Sequence, residues 1–215
     1  MSVREATIHH KGVVAAYHPR PFPPVPTKGS EPTSSPGVAG GYPRHVLKLV
    51  LPKGSLEKAT MELFEAADLG VQRSSEVNYK ANISDPRIDS VRILRPQEIP
   101  TYVADGLFDL GITGRDWVEE TGSDVVSLGE LRYSKATSKP IKVVLAVPDD
   151  SPYQSAADLP AGVRVSTEYM GLTRRYFESK GVDADIRLSY GATEAKVPDI
   201  VDCCLLYTSP SPRDS

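Results

Sequence analysis

Short apolar runs alternate with short amphipathic segments along most of this chain, and that alternation narrows the possible folds more than any other feature. Residues 46–51 have the pattern of a strand, and the apolar positions between Leu56 and Ala67 have helical spacing. The later strand-like runs are 91–94, 108–112, 125–131, 141–147, 162–166 and 186–188, and the helical segments between them are 97–104, 116–120, 156–159 and 172–179. This order favours an α/β fold with largely parallel sheets.

The composition excludes several classes of protein. Of the 215 residues, 40% are apolar and 25% are charged, which is an ordinary balance for a soluble protein. The net charge of -3 argues against a nucleic-acid-binding protein, because phosphate binding needs a basic surface. The chain has no apolar run long enough to span a bilayer, so we expect no membrane segment.

Histidine and cysteine are missing from the part of the chain that carries the α/β pattern. The last histidine is His45, and the two cysteines are adjacent at Cys203 and Cys204. Chemistry within residues 46–202 therefore cannot use a Ser-His-Asp or a Cys-His arrangement. It would depend on carboxylates, Lys, Arg, backbone amides or a hard metal ion.

The two ends of the chain lack the alternating pattern. Residues 1–45 are rich in proline and show no apolar period, so we expect a disordered leader. Residues 199–202 have the pattern of a helix that begins and then stops, and no strand is expected after it. Residues 205–215 resemble translated sequencing-adapter DNA, and we expect 203–215 to be a foreign tail; the alternative is a natural Ser/Pro-rich tail.

Polar loops follow four of the predicted strands. Ligands of open α/β sheets bind at the carboxyl ends of strands, and a glycine turn before a helix can offer backbone N–H groups to an anion. Each loop alone could be an ordinary strand-to-helix connection, but four together predict one cleft between two α/β lobes. The motifs that contain these loops are 51–55, 109–116, 166–175 and 189–194.

Taken together, these motifs resemble the ATP phosphoribosyltransferase family. The resemblance runs from Leu47 to Asp202 and implies two lobes with the type II fold of periplasmic binding proteins, with mixed, mostly parallel sheets. Lobe I would cover 46–138 and lobe II 139–202, with the fold incomplete at the C-terminus. The segments that carry it are Leu51-Pro52-Lys53-Gly54-Ser55-Leu56, Leu94-Arg95-Pro96-Gln97-Glu98-Ile99-Pro100, Asp109–Trp117, Thr167–Phe177 and Gly191–Val197.

The resemblance implies a reaction without a side-chain nucleophile or base. In the family, adenine N1 of ATP attacks the anomeric carbon of phosphoribosyl pyrophosphate, and pyrophosphate leaves with Mg²⁺. The product is phosphoribosyl-ATP, in the first step of histidine biosynthesis. Mg²⁺ would be carried mainly by the substrate phosphates, and the protein would be a cytoplasmic homo-oligomer with no nucleic-acid or membrane partner.

The resemblance also assigns substrate-binding residues. They are Lys53, Gly54, Ser55, Arg95, Asp109, Gly111, Thr113, Gly114, Arg115, Asp116, Glu168, Tyr169, Leu172, Thr193 and Glu194.

Two departures from the family pattern lead to further expectations. The family's Thr-Gly-x-Ser/Thr loop for the ribose 5-phosphate does not follow residue 202, so we expect the 215-residue chain to be inactive. Val46 stands where the family's chains usually start, so we expect residues 1–45 to be a translated leader outside the native protein. The alternative functions are a two-lobe small-molecule binding protein without catalysis and an interaction protein acting through its proline-rich segment.

Overall fold

The computed structural model describes residues 1–10, 13–17, 46–75, 77–131 and 141–208. Its strands are β1 (Ser2–His10), β2 (Val13–Tyr17), β3 (Leu47–Pro52), β4 (Val71–Gln72), β5 (Lys80–Ile83), β6 (Ile88–Leu94), β7 (Leu110–Gly114), β8 (Val126–Leu131), β9 (Ile141–Val147), β10 (Val163–Thr167), β11 (Ala184–Leu188) and β12 (Cys203–Thr208). Its α-helices are α1 (Glu57–Ala66), α2 (Ile99–Ala104), α3 (Arg115–Thr121) and α4 (Met170–Ser179), and its 3₁₀ helices are Gly54–Leu56, Ala156–Asp158 and Glu194–Lys196.

The chain divides into two compact units. Unit 1 comprises residues 1–13, 114–123 and 130–215, and unit 2 comprises 14–113 and 124–129. This division differs from the predicted single boundary between 138 and 139, because α3 belongs to unit 1.

Unit 2 is built on a seven-stranded sheet with the order β4-β5-β6-β3-β7-β2-β8. Strand β3 runs parallel to β6 and to β7, whereas β4, β5 and β6 are antiparallel neighbours. Val50 of β3 packs against Ile99 and Val103 of α2 in a buried cluster. Because β3, β6 and β7 are parallel, their carboxyl ends lie at the same end of the sheet.

Unit 1 is built on a five-stranded sheet with the order β1-β9-β12-β10-β11. Strand β10 runs parallel to β11 and β12, whereas β9 is antiparallel to β12 and β1. Its core is formed by alternate residues of β9, β10 and β12 together with Phe177 of α4; the strand residues are Val143, Leu145, Val147, Val163, Val165, Cys203 and Leu205.

The predicted α/β class with two lobes is confirmed, and the strands and helices predicted between residues 46 and 188 are present within a few residues of their expected bounds. The sheets are less parallel than predicted. Among the strand pairs with described register, four are parallel and four are antiparallel. The difference comes from β1, β4, β5 and β12, which the sequence pattern does not reveal as strands.

Two predictions about the ends of the chain are wrong. Residues 2–10 and 13–17 form strands and are not disordered, because β1 pairs along β9; the rest of the predicted leader lies outside the described residues. Residues 197–200 are a turn and not the start of a helix, and β12 follows them as a buried central strand.

Within the described ranges, no helix has the length and apolar character needed to cross a membrane.

Candidate functional site

Two of the predicted cationic residues, Lys53 and Arg95, follow the carboxyl ends of strands in the unit 2 sheet. The Lys53 N–H, directly after β3, donates to the Leu94 carbonyl at the end of β6 at 2.7 Å. The Thr113 hydroxyl, near the end of β7, donates to the Pro96 carbonyl at 2.8 Å. These bonds bring the loops of Lys53, Arg95 and Thr113 together. Arg95 is exposed, Thr113 is buried, and the Lys53 ammonium lies 4.6 Å from the centre of the Tyr79 ring.

The glycine turn after β3 does not present a free anion site. Gly54 has a φ of 86°, a left-handed conformation that favours glycine. Its N–H donates to the Glu57 carboxylate at 3.2 Å, and Glu57 also pairs with Arg73. An anion at this turn would therefore compete with the Glu57 carboxylate, while Ser55 remains exposed beside it.

Asp109 lies at the opposite end of the strands from Lys53, so its predicted place in the site is wrong. Leu110 pairs with Leu49, which puts Asp109 beside Lys48 at the start of β3. The distance along β3 from Lys48 to Lys53 is about 16 Å at the usual rise per residue. Asp109 is only 6% exposed, and its carboxylate accepts the Lys48 N–H at 2.8 Å.

Gly111 and Gly114 make room for neighbouring side chains of the protein. A Cβ on Gly111 would lie 2.6 Å from Ile99 Cγ2 and 2.9 Å from Val103 Cγ2, so the glycine lets α2 pack onto β7. A Cβ on Gly114 would lie 2.1 Å from Asp116 Oδ1.

In unit 1, the structure brings together Asp116 and Tyr169 across 53 residues of sequence. The Tyr169 hydroxyl donates to Asp116 Oδ2 at 2.7 Å, and the ring stacks on Trp117 with the centroids 4.6 Å apart. Tyr169 is 4% exposed. Burial, followed by the negative charge and the hydrogen bond of Asp116, raises the pKa of Tyr169 far above its usual range. Tyr169 is therefore a neutral hydrogen-bond donor at physiological pH.

Tyr169 also lines a pocket of ≈ 440 Å³ in unit 1. The pocket residues include Glu168, Thr193 and Glu194, which were predicted from two separate loops. The remaining lining residues are Ala192, Leu205, Leu206 and Tyr207. The pocket thus offers two carboxylates, a hydroxyl and apolar surface. This set suits the hydroxyl and amino groups of a ligand or a cation that a ligand brings with it.

A hydrogen-bonded cluster holds the loop that carries Thr193 and Glu194. Lys196 Nζ donates to the Ser189 hydroxyl at 2.6 Å, and the Ser189 oxygen lies 3.0 Å from Thr193 Oγ1. Ser189 and Thr193 are buried. Sequence reasoning found Thr193 but not the roles of Ser189 and Lys196, which come from contacts within a turn that has no local signature.

Arg115 and Leu172 are placed differently from the predictions. The Arg115 guanidinium is exposed and pairs with Glu119 one helical turn away at 3.1 Å. Leu172 is buried, and its N–H donates to Glu120 at 2.8 Å. Neither residue lines the pocket described above.

Glu120 and Trp117 were missed by sequence reasoning. Glu120 accepts the backbone N–H groups of Gly171 and Leu172, each at 2.8 Å, at the start of α4. No local pattern marks a contact between residues more than fifty positions apart. Among the described residues, no group of three or more His, Cys, Asp or Glu side chains could hold a metal ion.

Comparison with known proteins adds an independent line of evidence. The family model described as ATP phosphoribosyltransferase matches residues 95–207. An ATP phosphoribosyltransferase of Nitratidesulfovibrio vulgaris is 48% identical over 153 residues, which cover 71% of this chain and 51% of the relative. That of Chlorobium phaeovibrioides is 45% identical over 163 residues, which cover 76% and 54%. The chain therefore spans about half the length of these curated relatives.

A solved structure is also similar to this chain. The ATP phosphoribosyl transferase (HisG:HisZ) complex from Thermotoga maritima matches with a TM-score of 0.65 and 25% identity. The match covers 77% of this chain and 75% of that chain. The family model includes the Arg95 loop, the Glu168–Tyr169 segment and Thr193–Glu194.

Proposed function

The chain belongs to the ATP phosphoribosyltransferase family, and on that premise we propose that the whole protein transfers phosphoribosyl from phosphoribosyl pyrophosphate to N1 of ATP. The observation that carries the proposal is the family match over residues 95–207, which contains the pocket residues Glu168, Tyr169, Thr193 and Glu194. The reaction is the first step of histidine biosynthesis, and its setting is the cytoplasm.

The residue types at the candidate site are compatible with this chemistry. Adenine N1 is itself the nucleophile and magnesium pyrophosphate is a good leaving group, so catalysis depends on positioning and charge stabilisation. Residues 46–202 contain neither His nor Cys, as such a reaction allows. We assign phosphate binding to Lys53 and Arg95, at one edge of the unit 2 sheet.

The unit 1 pocket takes the less charged parts of the substrates. Two carboxylates repel a bare phosphate but accept hydrogen bonds from ribose hydroxyls or an adenine amino group. They also fit an Mg²⁺ ion that keeps most of its ligands from water and substrate phosphates. We therefore assign Glu168 and Glu194 to sugar, base or substrate-borne Mg²⁺, and we propose that the functional protein is an oligomer.

Calorimetric titration of the chain with ATP and with magnesium phosphoribosyl pyrophosphate tests the proposal. We expect binding of at least one of the two, weakened by Arg95→Ala and by Glu168→Gln. The matched controls are Arg174→Ala and Glu178→Gln, which change the same charges on exposed positions of α4. Binding of amino acids or sugars in place of both substrates would favour the alternative of a solute-binding protein.

Turnover is measured separately by mass spectrometry of phosphoribosyl-ATP. The expectation that this chain does not turn over stays a prediction. Product formed by the chain alone would contradict that expectation and support the proposed reaction at the same time.

A further inference from the structure

Helix α3 holds the segment 168–172 through several contacts. Asp116 accepts the Tyr169 hydroxyl, Trp117 stacks on the Tyr169 ring, and the Glu119 carbonyl accepts a bond from Arg175. Glu120 makes the most direct contact with the backbone of this segment, through both of its carboxylate oxygens. All of these residues belong to unit 1.

The Glu120 contact has a geometry that few other side chains could reproduce. Oε1 accepts the Gly171 N–H and Oε2 accepts the Leu172 N–H, each at 2.8 Å. These two N–H groups belong to the first turn of α4, where the helix itself supplies no acceptor. A Cβ on Gly171 would lie 2.5 Å from the Glu120 carbonyl oxygen, so the glycine allows α3 to approach this closely.

The held segment leads directly into the pocket. Glu168 and Tyr169 both line the pocket, and they precede Gly171 by only three and two residues. Tyr169 is fixed through its side chain by Asp116, and the backbone that follows is fixed by Glu120. Glu120 thus binds the backbone directly after two of the pocket residues.

We propose that Glu120 is a positioning residue, which sets the place of Glu168 and Tyr169 in the pocket by binding the Gly171 and Leu172 N–H groups with its carboxylate. The inference rests on the proposed function for the identity of the ligand, but not for the geometry. It predicts that Glu120 and Glu168 act on ligand binding as one unit.

The first experiment needs no ligand and uses the single tryptophan of the chain, Trp117, as the reporter. Glu120→Gln preserves the shape but leaves only one oxygen to accept two N–H groups. We expect this variant to lose part of the near-ultraviolet circular dichroism of the Trp117–Tyr169 stack and to shift the emission of Trp117. The charge-matched control Glu178→Gln should show neither change. Unchanged spectra in folded Glu120→Gln would overturn the proposal.

A second variant covers the case in which Glu120→Gln does not fold. Glu120→Asp keeps the charge but is one methylene shorter, so it weakens both hydrogen bonds without removing them. We expect the same spectral changes at smaller amplitude, and wild-type spectra in this variant would overturn the proposal as well.

The second experiment is a double-mutant cycle on the binding of magnesium ATP and magnesium phosphoribosyl pyrophosphate, measured by calorimetry. We expect Glu120→Gln and Glu168→Gln each to weaken binding about tenfold, as the loss of roughly one hydrogen bond to a charged group would. If Glu120 positions Glu168, the double variant binds only about tenfold more weakly than wild type. If Glu120 acts on binding independently of Glu168, the effects multiply to about a hundredfold, and if Glu120 stabilises α4 alone, Glu120→Gln leaves the affinity unchanged; either result overturns the proposal.

The two experiments separate this proposal from the proposed function. If the wild-type chain binds neither substrate, the proposed function loses its support, while the spectra of the Glu120 variants still decide whether Glu120 positions Tyr169. If the substrates bind and the effects multiply, the proposed function stands and the role of Glu120 does not.

Discussion

The Asp109 carboxylate and the backbone of Lys48 form a reciprocal pair across two neighbouring strands. The Lys48 N–H donates to Asp109 Oδ2 at 2.8 Å, and the Asp109 N–H donates to the Lys48 carbonyl at 2.9 Å. Asp109 therefore continues the ladder between β3 and β7 beyond the last paired residues. Its role is to satisfy the backbone at the amino end of β3, far from the loop of Lys53.

Replacing this carboxylate should affect stability and leave nucleotide binding unchanged. Asp109→Ala removes the acceptor of the Lys48 N–H, and the loss of such a partner costs about 1–3 kcal/mol. Urea unfolding measures the change in the free energy of unfolding, with Asp105→Ala at an exposed position as the control. A weaker affinity for ATP in the folded Asp109→Ala protein, with unchanged stability, would restore Asp109 to the site.

Gly111→Ala should destabilise unit 2 by overpacking. The new methyl group would lie within 3.0 Å of side chains from both α2 and β3, and such overpacking costs about 1–3 kcal/mol. Gly70→Ala is the matched control, because its methyl group would meet only the end of the flexible Glu65 side chain. Equal free energies of unfolding for the two variants would show that the packing of α2 on β7 accommodates the added methyl group, and would contradict the prediction.

The buried Tyr169 predicts a loss of stability in alkali. Because its pKa is raised in the folded state, the unfolded chain releases this proton first, near the ordinary tyrosine pKa of about 10. The contribution of Tyr169 to the free energy of unfolding is thus fully present below that pH, and it falls above that pH by up to about 1.4 kcal/mol per pH unit. Urea unfolding at a series of alkaline pH values should show a steeper loss in wild type than in Tyr169→Phe; parallel curves would contradict the raised pKa.

The adjacent cysteines should resist alkylation in the folded protein. Burial in the central strand β12 raises the pKa of Cys203 and of Cys204 to about 12, and both side chains are fully covered. Since the thiolate is the reactive form, iodoacetamide should label neither residue at neutral pH until the chain is unfolded. Mass spectrometry of the labelled peptide checks this. Rapid labelling of the native chain would show that β12 does not occupy the centre of the sheet.

The sequence predicted well what depends on local pattern. Residues 141–147 form a strand within the predicted bounds, because an apolar run stopped by Pro148 leaves little alternative. The strand of residues 2–10 was missed, since it depends on pairing with β9 and not on its own periodicity. Strand β5 was missed because it is short and only partly buried.

The sequence predicted the part of the candidate site whose residues directly follow recognisable strands. Glu168, Tyr169, Thr193 and Glu194 do gather at one pocket, as residues after neighbouring parallel strands should. Asp109 was misplaced because it was assigned through the family resemblance, although it stands at the amino end of the predicted strand 108–112 and directly before β7. Only residues that follow a strand lie with the other polar loops at the carboxyl ends of the sheet.

The path of the chain between the two units has a consequence for how such a protein can change in evolution. The boundary is passed between residues 13 and 14, between 113 and 114, between 123 and 124, and again between 129 and 130. Neither unit is therefore encoded by one uninterrupted stretch of the gene. Recombination with a single crossover would always split a unit, so the two are expected to be inherited together and to diverge by point substitution.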